Sequence, residues 1–215
     1  MKKQKGIRHQ RNRAQKEAKR NAVVAAKKKE QAAAFLSPIH QARAAASVFG
    51  VSYCMVTEGI FDIGIGYVVL GRTISPTKVA TGVFLVDVHC LGVKNAYYTE
   101  PTHEQLREMI DRMTGDGDSV VDIAPECARK IVDGAIAYAK EIGFTPHADY
   151  PPAGALFGDI DAGACPTEYE FGKDGKPFYV SGPNDTPAKI RKVIRTLTAK
   201  VGEGNFEYIV EASGL

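Results

Sequence analysis

Apolar and polar positions divide the chain into a front part without periodicity and a longer part with clear strand and helix periods. Over residues 1–35, Lys, Arg, Gln and Ala dominate, proline is absent, and the few apolar residues recur at no helical spacing. High helix propensity without an apolar face predicts an arm that is frayed or disordered alone and helical against a partner. Ser37 and Pro38 then form a helix start, with Ser as N-cap and Pro in the first turn. That helix is expected to reach Phe49, stop at Gly50, and present Ile39, Ala42, Ala46 and Phe49 inward. Residues 51–56 and 66–73 read as strands joined by a Gly-spaced loop over 58–64. The most apolar stretch, residues 79–98, follows a proline-centred turn at 75–78. Its β-branched and aromatic centre, 83–88, reads as a strand buried on one or both faces. Residues 66–90 are thus a predicted β-hairpin, and Gly92 either bends the second strand or turns it into a third.

Beyond residue 100 the period changes to that of helices. Thr102 and Gln105 have capping-box spacing ahead of Leu106, Met109, Ile110 and Met113. A second helix from about Pro125 carries Ala128, Ile131, Val132, Ala135, Tyr138, Ala139 and Ile142 on one face, with Gly143 as its C-cap. Residues 145–166, rich in Pro, Gly and Asp, predict little regular structure. Lys173-Asp174-Gly175-Lys176 reads as the turn of a second hairpin between 168–171 and 177–181. Thr186 and Pro187 start a last helix with the stripe Ile190, Val193, Ile194, Leu197 and Val201, and residues 206–210 read as a strand. The elements predict an α+β (mixed α/β) class: antiparallel hairpins form a sheet covered by helices. Residues 36–215 are read as one globular domain and 1–35 as its basic arm. Hairpins first and crossover helices later are also compatible with a ribonuclease H-like sheet.

Charge changes this picture. Residues 1–30 hold 12 Lys and Arg against Glu17 and Glu30, a net of +10; the whole chain is +3, which leaves −7 for residues 31–215. A cationic arm on an acidic body points to a polyanionic partner. No apolar run approaches the roughly 18 residues that span a bilayer, and no secretory h-region follows the basic start, so no membrane association and a cytoplasmic location are expected. Cys54, Cys90, Cys127 and Cys165 lie more than thirty residues apart, which predicts reduced thiols.

Three stretches, Gly82-Val-Phe-Leu-Val-Asp-Val-His-Cys-Leu-Gly-Val-Lys94, Pro125-Glu-Cys-Ala through Gly143-Phe-Thr-Pro-His147, and Phe171-Gly-Lys-Asp-Gly-Lys-Pro-Phe-Tyr-Val-Ser-Gly-Pro-Asn-Asp185, resemble an uncharacterised family of bacterial proteins over roughly residues 55–210. The resemblance implies no activity, cofactor or site.

Among the candidate residues Asp87 is the sharpest, because an ionised carboxylate inside a buried strand is costly unless paired or bound to a cation. Asp159 and Asp161 would share one face if extended, and with Asp62 and Asp87 they could gather two Mg²⁺ ions for in-line attack on a phosphodiester. Against this, Asp87 could point outward or pair with Arg72, and Asp159 and Asp161 could be turn residues. A thiol mechanism with Cys90 and His89 or His147 is the weaker reading: adjacent strand residues face opposite sides, which opposes His89 as the base, and Cys90 reads as a small buried hydrophobe. A zinc site from the four cysteines requires distant segments to converge. Residues 172–176 could cradle a phosphate, but Asp174 repels anions. The basic face of the last helix reads as solvated surface.

Together these readings predict a protein associated with nucleic acid, RNA or the ribosome first. Lys2, Lys3, Lys5, Arg8, Arg11, Arg13, Lys16, Lys19, Arg20, Lys27, Lys28 and Lys29 would be the binding residues. The alternatives are a Mg²⁺-dependent phosphodiesterase built on the acids, and a scaffold whose arm docks onto an acidic protein.

Overall fold

In the computed structural model, which describes residues 37–114 and 119–210, the apolar run of residues 79–98 forms two neighbouring strands on one side of an antiparallel sheet. Strands β1 (Tyr53–Thr57), β2 (Ile65–Ser75), β3 (Lys78–Asp87), β4 (Gly92–Thr99) and β5 (Val120–Asp122) lie in the order β4-β3-β2-β1-β5. β2 and β3 make the predicted hairpin, paired from Ile65–Asp87 to Ser75–Lys78 with a register shift between Thr73 and Ser75. Gly92, at φ 66°, starts the third strand instead of bending the second. At the other edge β5 runs antiparallel to β1, so among the described residues this sheet contains no parallel pair of the kind a crossover helix produces. The ribonuclease H-like analogy is therefore not supported, while the α+β class is.

The twofold alternation of strands decides the layers. On one face Val68, Leu70, Phe84 and Val86 are buried against Ala128, Ile131, Val132 and Ala135 of helix α4 (Pro125–Glu141), with Ala42 and Ala45 of helix α1 (Pro38–Val48) in the same core. On the other face Val69, Val79 and Val83 pack with Leu106 of helix α3 (His103–Thr114). The α3 start is a reciprocal capping box: Gln105 N–H donates to the Thr102 hydroxyl at 3.2 Å, and Thr102 N–H donates to the Gln105 side-chain oxygen at 3.0 Å.

Several local expectations are corrected. Phe49, expected inside, is 36% exposed. A short helix α2 (Ile60–Ile63) occupies the 58–64 loop, and residues 145–166 hold helix α5 (Tyr150–Gly154) and two single 3₁₀ turns. Asp174 and Gly175 do adopt the positive φ of a tight turn, 51° and 74°. The flanks of that turn do not form a hairpin ladder. Instead β6 (Phe178–Val180) pairs in parallel with β7 (Glu207–Ile209), across helix α6 (Pro187–Val201). The predicted arm falls outside the described residues. Residues Ala42–Leu215 make one compact unit; of the other, Met1–Gln41, the described part is the start of α1.

Two ties hold the segment that follows α5. Arg72, 4% exposed on β2, donates from Nε to the Leu156 carbonyl at 3.0 Å, from Nη2 to Phe157 at 3.3 Å, and from Nη1 to Phe49. It is thus a structural cation, and the register puts it opposite Ala80, far along the hairpin from Asp87. Further on, Cys127 and Cys165 form a disulfide with Cα atoms 4.9 Å apart. This overturns the expectation of four reduced thiols, because the loop folds back over the first turn of α4 and brings together residues 38 positions apart. Cys54 and Cys90 remain free and buried, so the four cysteines do not form a zinc site. Disulfides belong mostly to oxidising compartments, which sets the bridge against the expectation of a cytoplasmic chain. No described helix is long and apolar enough to cross a membrane.

Arg72→Leu leaves three carbonyls without their donor, and the expected loss is about 3 kcal/mol or more in urea denaturation. Replacing Cys127 and Cys165 together by Ser is expected to cost about 3–4 kcal/mol on the chain-entropy estimate for a loop of this length. A double variant as stable as the parent would show that the bridge constrains nothing.

Candidate functional site

Where Asp87 ends β3, its carboxylate turns back on the chain. Oδ1 accepts the backbone N–H of Cys90 at 2.8 Å and of His89 at 3.1 Å. Donors supplied by the following residues are what an Asp at a turn provides for. Burial, with 6% exposure, pushes this carboxyl above the usual range, opposed by the Lys94 ammonium and the turn's N–H groups. Asp87 is therefore neither outward nor paired with Arg72. The turn is fastened on all sides: Val88 N–H donates to Gly64, Gly172 N–H to Val88, and Phe178 N–H to His89, at 2.9, 2.9 and 3.1 Å. The His89 ring meets the Phe61 carbonyl through Nε2 at 2.9 Å and lies against Gly64, where a Cβ would come within 2.2 Å of Nδ1.

From this turn the chain passes through Leu91, Val93 and Lys94 into the floor of a pocket of about 360 Å³. One wall is the chain leaving α4. That helix ends in a Schellman motif, in which Phe144 N–H donates to Ala139 at 2.8 Å and Gly143 N–H to Lys140 at 3.2 Å. Gly143 needs its φ of 97°, and a Cβ there would stand 2.9 Å from Thr196 and Lys200 side chains. The absence of that Cβ lets the segment 143–147 lie close to α6, while His147 N–H ties it to the Val93 carbonyl at 3.0 Å. The opposite wall is α6 itself, through Lys189, Lys192, Val193 and Thr196. α6 is started by Thr186, whose hydroxyl accepts Lys189 N–H at 3.3 Å.

The pocket is cationic. Lys94, Lys189 and Lys192 line it together with His147 and apolar Leu91, Val93, Phe144 and Val193, and among the described residues no carboxylate lines it. Asp185 sits behind Lys189, its side chain 4% exposed, with Nζ to Oδ1 at 2.6 Å. Burial alone would raise the Asp185 carboxyl. The Lys189 ammonium, the Gly182 N–H and the Tyr179 hydroxyl outweigh burial and hold it at about 2. The Asp185–Lys189 pair is thus self-neutralised, whereas neither Lys94 nor Lys192 has a salt bridge among the described residues.

The acids proposed from sequence are dispersed among other tasks. Asp87 serves the turn, Asp62 is exposed on α2, and Asp159 is exposed. Asp161 caps a 3₁₀ turn by accepting Gly163 N–H at 2.8 Å. Among the described residues no three His, Cys, Asp or Glu form a group that could hold a metal ion. Cys90 is fully buried, and burial, with Asp87 nearby, pushes its thiol up, which disfavours the thiolate that a nucleophile needs. The twelve basic arm residues lie outside the described part. The sequence reading missed Lys94, His147 and Lys189 as a set; the signal was that α6 carries five basic and no acidic residues although the body is acidic. Compared with known proteins, the chain matches no family model, no curated protein and no solved structure.

The two buried carboxylates carry opposite pH signatures. Asp185, with its folded pKa lowered, stabilises the fold above its ordinary value near 3.9, and that contribution is lost as pH falls through about 2. Asp87, with its folded pKa raised, contributes fully below the ordinary value and less as pH rises through its folded value. In denaturation curves from about pH 2 to pH 7, Asp185→Asn should therefore lose ground against the parent as pH rises. Asp87→Asn, whose amide oxygen still accepts both N–H groups, should gain ground. Equal slopes for the two variants would overturn this assignment.

Proposed function

We propose that the protein binds a polyanion, single-stranded RNA in the first place, through the basic arm and the basic side of α6 beside the pocket. The observation that carries this reading is charge segregation. Residues 31–215 sum to −7, yet Lys189, Arg191, Lys192, Arg195 and Lys200 stand on one helix without an acid among them. Burial of Val193 and Leu197 fixes the inner side of α6, so that Arg191, Lys192 and Arg195 are exposed. Of these, Arg191, Lys192, Arg195 and Lys200 have no salt bridge among the described residues, and such cations on an acidic body gain most from a partner that brings phosphates, since each contact releases condensed counterions. The arm adds twelve further cations on the same chain, which raises the local concentration of polyanion near the body. No observation favours the phosphodiesterase reading, because the acids it requires do not gather into a site. A cytoplasmic RNA partner and an acidic protein partner both remain outcomes for the same measurement.

Binding of a single-stranded RNA to the full chain is expected to weaken with salt at about −0.7 per phosphate contact on logarithmic axes. Six contacts would then cost about 300-fold between 50 and 200 mM salt. Removing residues 1–30 should take most of this slope away. Arg191→Glu with Arg195→Glu should lower the slope by about 1.4 while changing stability by less than about 0.5 kcal/mol, the usual range for exposed sites. A slope untouched by both changes would rule the reading out. Tight, salt-sensitive binding to a polyglutamate but not to RNA would replace it by the acidic-protein partner.

A further inference from the structure

We infer that the pocket between β4, the 143–147 segment and α6 takes a single nucleotide unit, its phosphate on Lys94 and Lys192 and its base against Phe144. The inference rests on the polyanion reading and names the chemical unit recognised at its centre. Four observations carry it. The volume, about 360 Å³, is that of a small-ligand site and admits one nucleotide but no duplex. The cations in it are of two kinds: Lys189 is already satisfied by Asp185 at 2.6 Å, whereas Lys94 and Lys192 have no salt bridge among the described residues. Lys94 also faces the buried Asp87, but among the described residues no carboxylate lies within salt-bridge distance of either ammonium, and this suits a phosphate better than a neutral ligand.

Beside the lysines the lining is polar at Thr145, His147 and Thr196 and apolar at Leu91, Val93, Phe144 and Val193, and a bare inorganic anion would not use the apolar part. Phe144, half-buried, follows the glycine that turns the chain toward α6, so its ring is held by the second core with Leu91 and Val193. An aromatic face next to ammonium groups is the combination by which single-stranded nucleic acid is bound without sequence preference, the base stacking while the backbone is neutralised. Finally, the two buried carboxylates that interact with Lys94 and Lys189 are turned to other work. Asp87 accepts backbone N–H groups, and Asp185 accepts Lys189, Gly182 and Tyr179, so neither lines the cavity where it would repel a phosphate. A free mononucleotide and a nucleotide within a strand share this chemistry.

The test is calorimetric titration of the full chain with adenosine 5′-monophosphate, adenosine, inorganic phosphate and an adenine oligoribonucleotide. The mononucleotide is expected to bind at least tenfold more tightly than either adenosine or phosphate. Lys94→Ala and Lys192→Ala should each weaken it about tenfold. Phe144→Leu should weaken the mononucleotide by about 5-fold or more, the low end for a stacked base, and leave phosphate unchanged. Lys192 is exposed, so its variant keeps the test decisive if Phe144→Leu is unstable. Phosphate binding equal to that of the mononucleotide, or no mononucleotide binding at millimolar concentration, overturns the inference. So does mononucleotide binding that survives all three variants, but this outcome leaves the polyanion reading standing. Mononucleotide binding with no oligonucleotide binding does the reverse: the pocket stands, its source is the free nucleotide, and the polyanion reading falls.

Discussion

The architecture depends on one carboxylate placed where a strand must end. Asp87 accepts two backbone N–H groups of the residues that follow it, so the chain leaves β3 in a tight turn whose own polar groups then point outward to other segments. Val88 and His89 use theirs to hold Gly64, Gly172 and Phe178, which come from three different parts of the sequence. Without the Asp87 acceptor the His89 and Cys90 N–H groups would lose their partner inside the fold, and a buried backbone group without a partner costs about as much as a lost hydrogen bond. The price is a desolvated acid, which the fold tolerates because N–H donors and Lys94 surround it.

The same turn places the candidate site. Leu91 and Cys90 enter the second core with Ile142, Tyr179, Val193 and Leu197, and this core holds α6 against the turn that leads into β4. Lys94 follows two residues after Gly92 and therefore reaches the pocket only because the turn and β4 run in this register. Asp185 completes the arrangement from the other side by anchoring Lys189. The pocket is thus cationic at its surface and anionic behind it, a layering that orients ammonium groups without leaving a carboxylate exposed to an incoming anion.

The segment after α5 shows a second way of fixing a chain with little regular structure. Arg72 takes up carbonyls on both sides of it, Arg129 donates to Gly158 and Ile160, Lys130 pairs with Glu168 at 2.8 Å, and the Cys127–Cys165 bridge closes it onto α4. Loops expose backbone groups that helices and strands would satisfy internally, and cationic side chains with several donors can satisfy them from outside.

By itself the sequence determined the elements whose signals are local. The β2–β3 hairpin, the capping box of α3, the apolar face of α4, the Thr186 start of α6 and the positive φ at Asp174 and Gly175 were all legible, because periodicity, caps and turn residues act within a few positions. The charge imbalance between the first thirty residues and the rest was legible for the same reason: it is a sum over sequence. Only the tertiary structure decided what depends on distant segments meeting. It paired β5 antiparallel with β1, joined β6 to β7 in parallel where a hairpin was expected, and closed the disulfide between cysteines 38 residues apart. It also turned Asp87 from a candidate metal ligand into the acceptor of its own turn, and gathered Lys94, His147, Lys189 and Lys192 from three stretches into one pocket. The physical reason is the same in each case. A side chain's type states which partners it can accept, but which partner it meets is settled by the packing of the two cores.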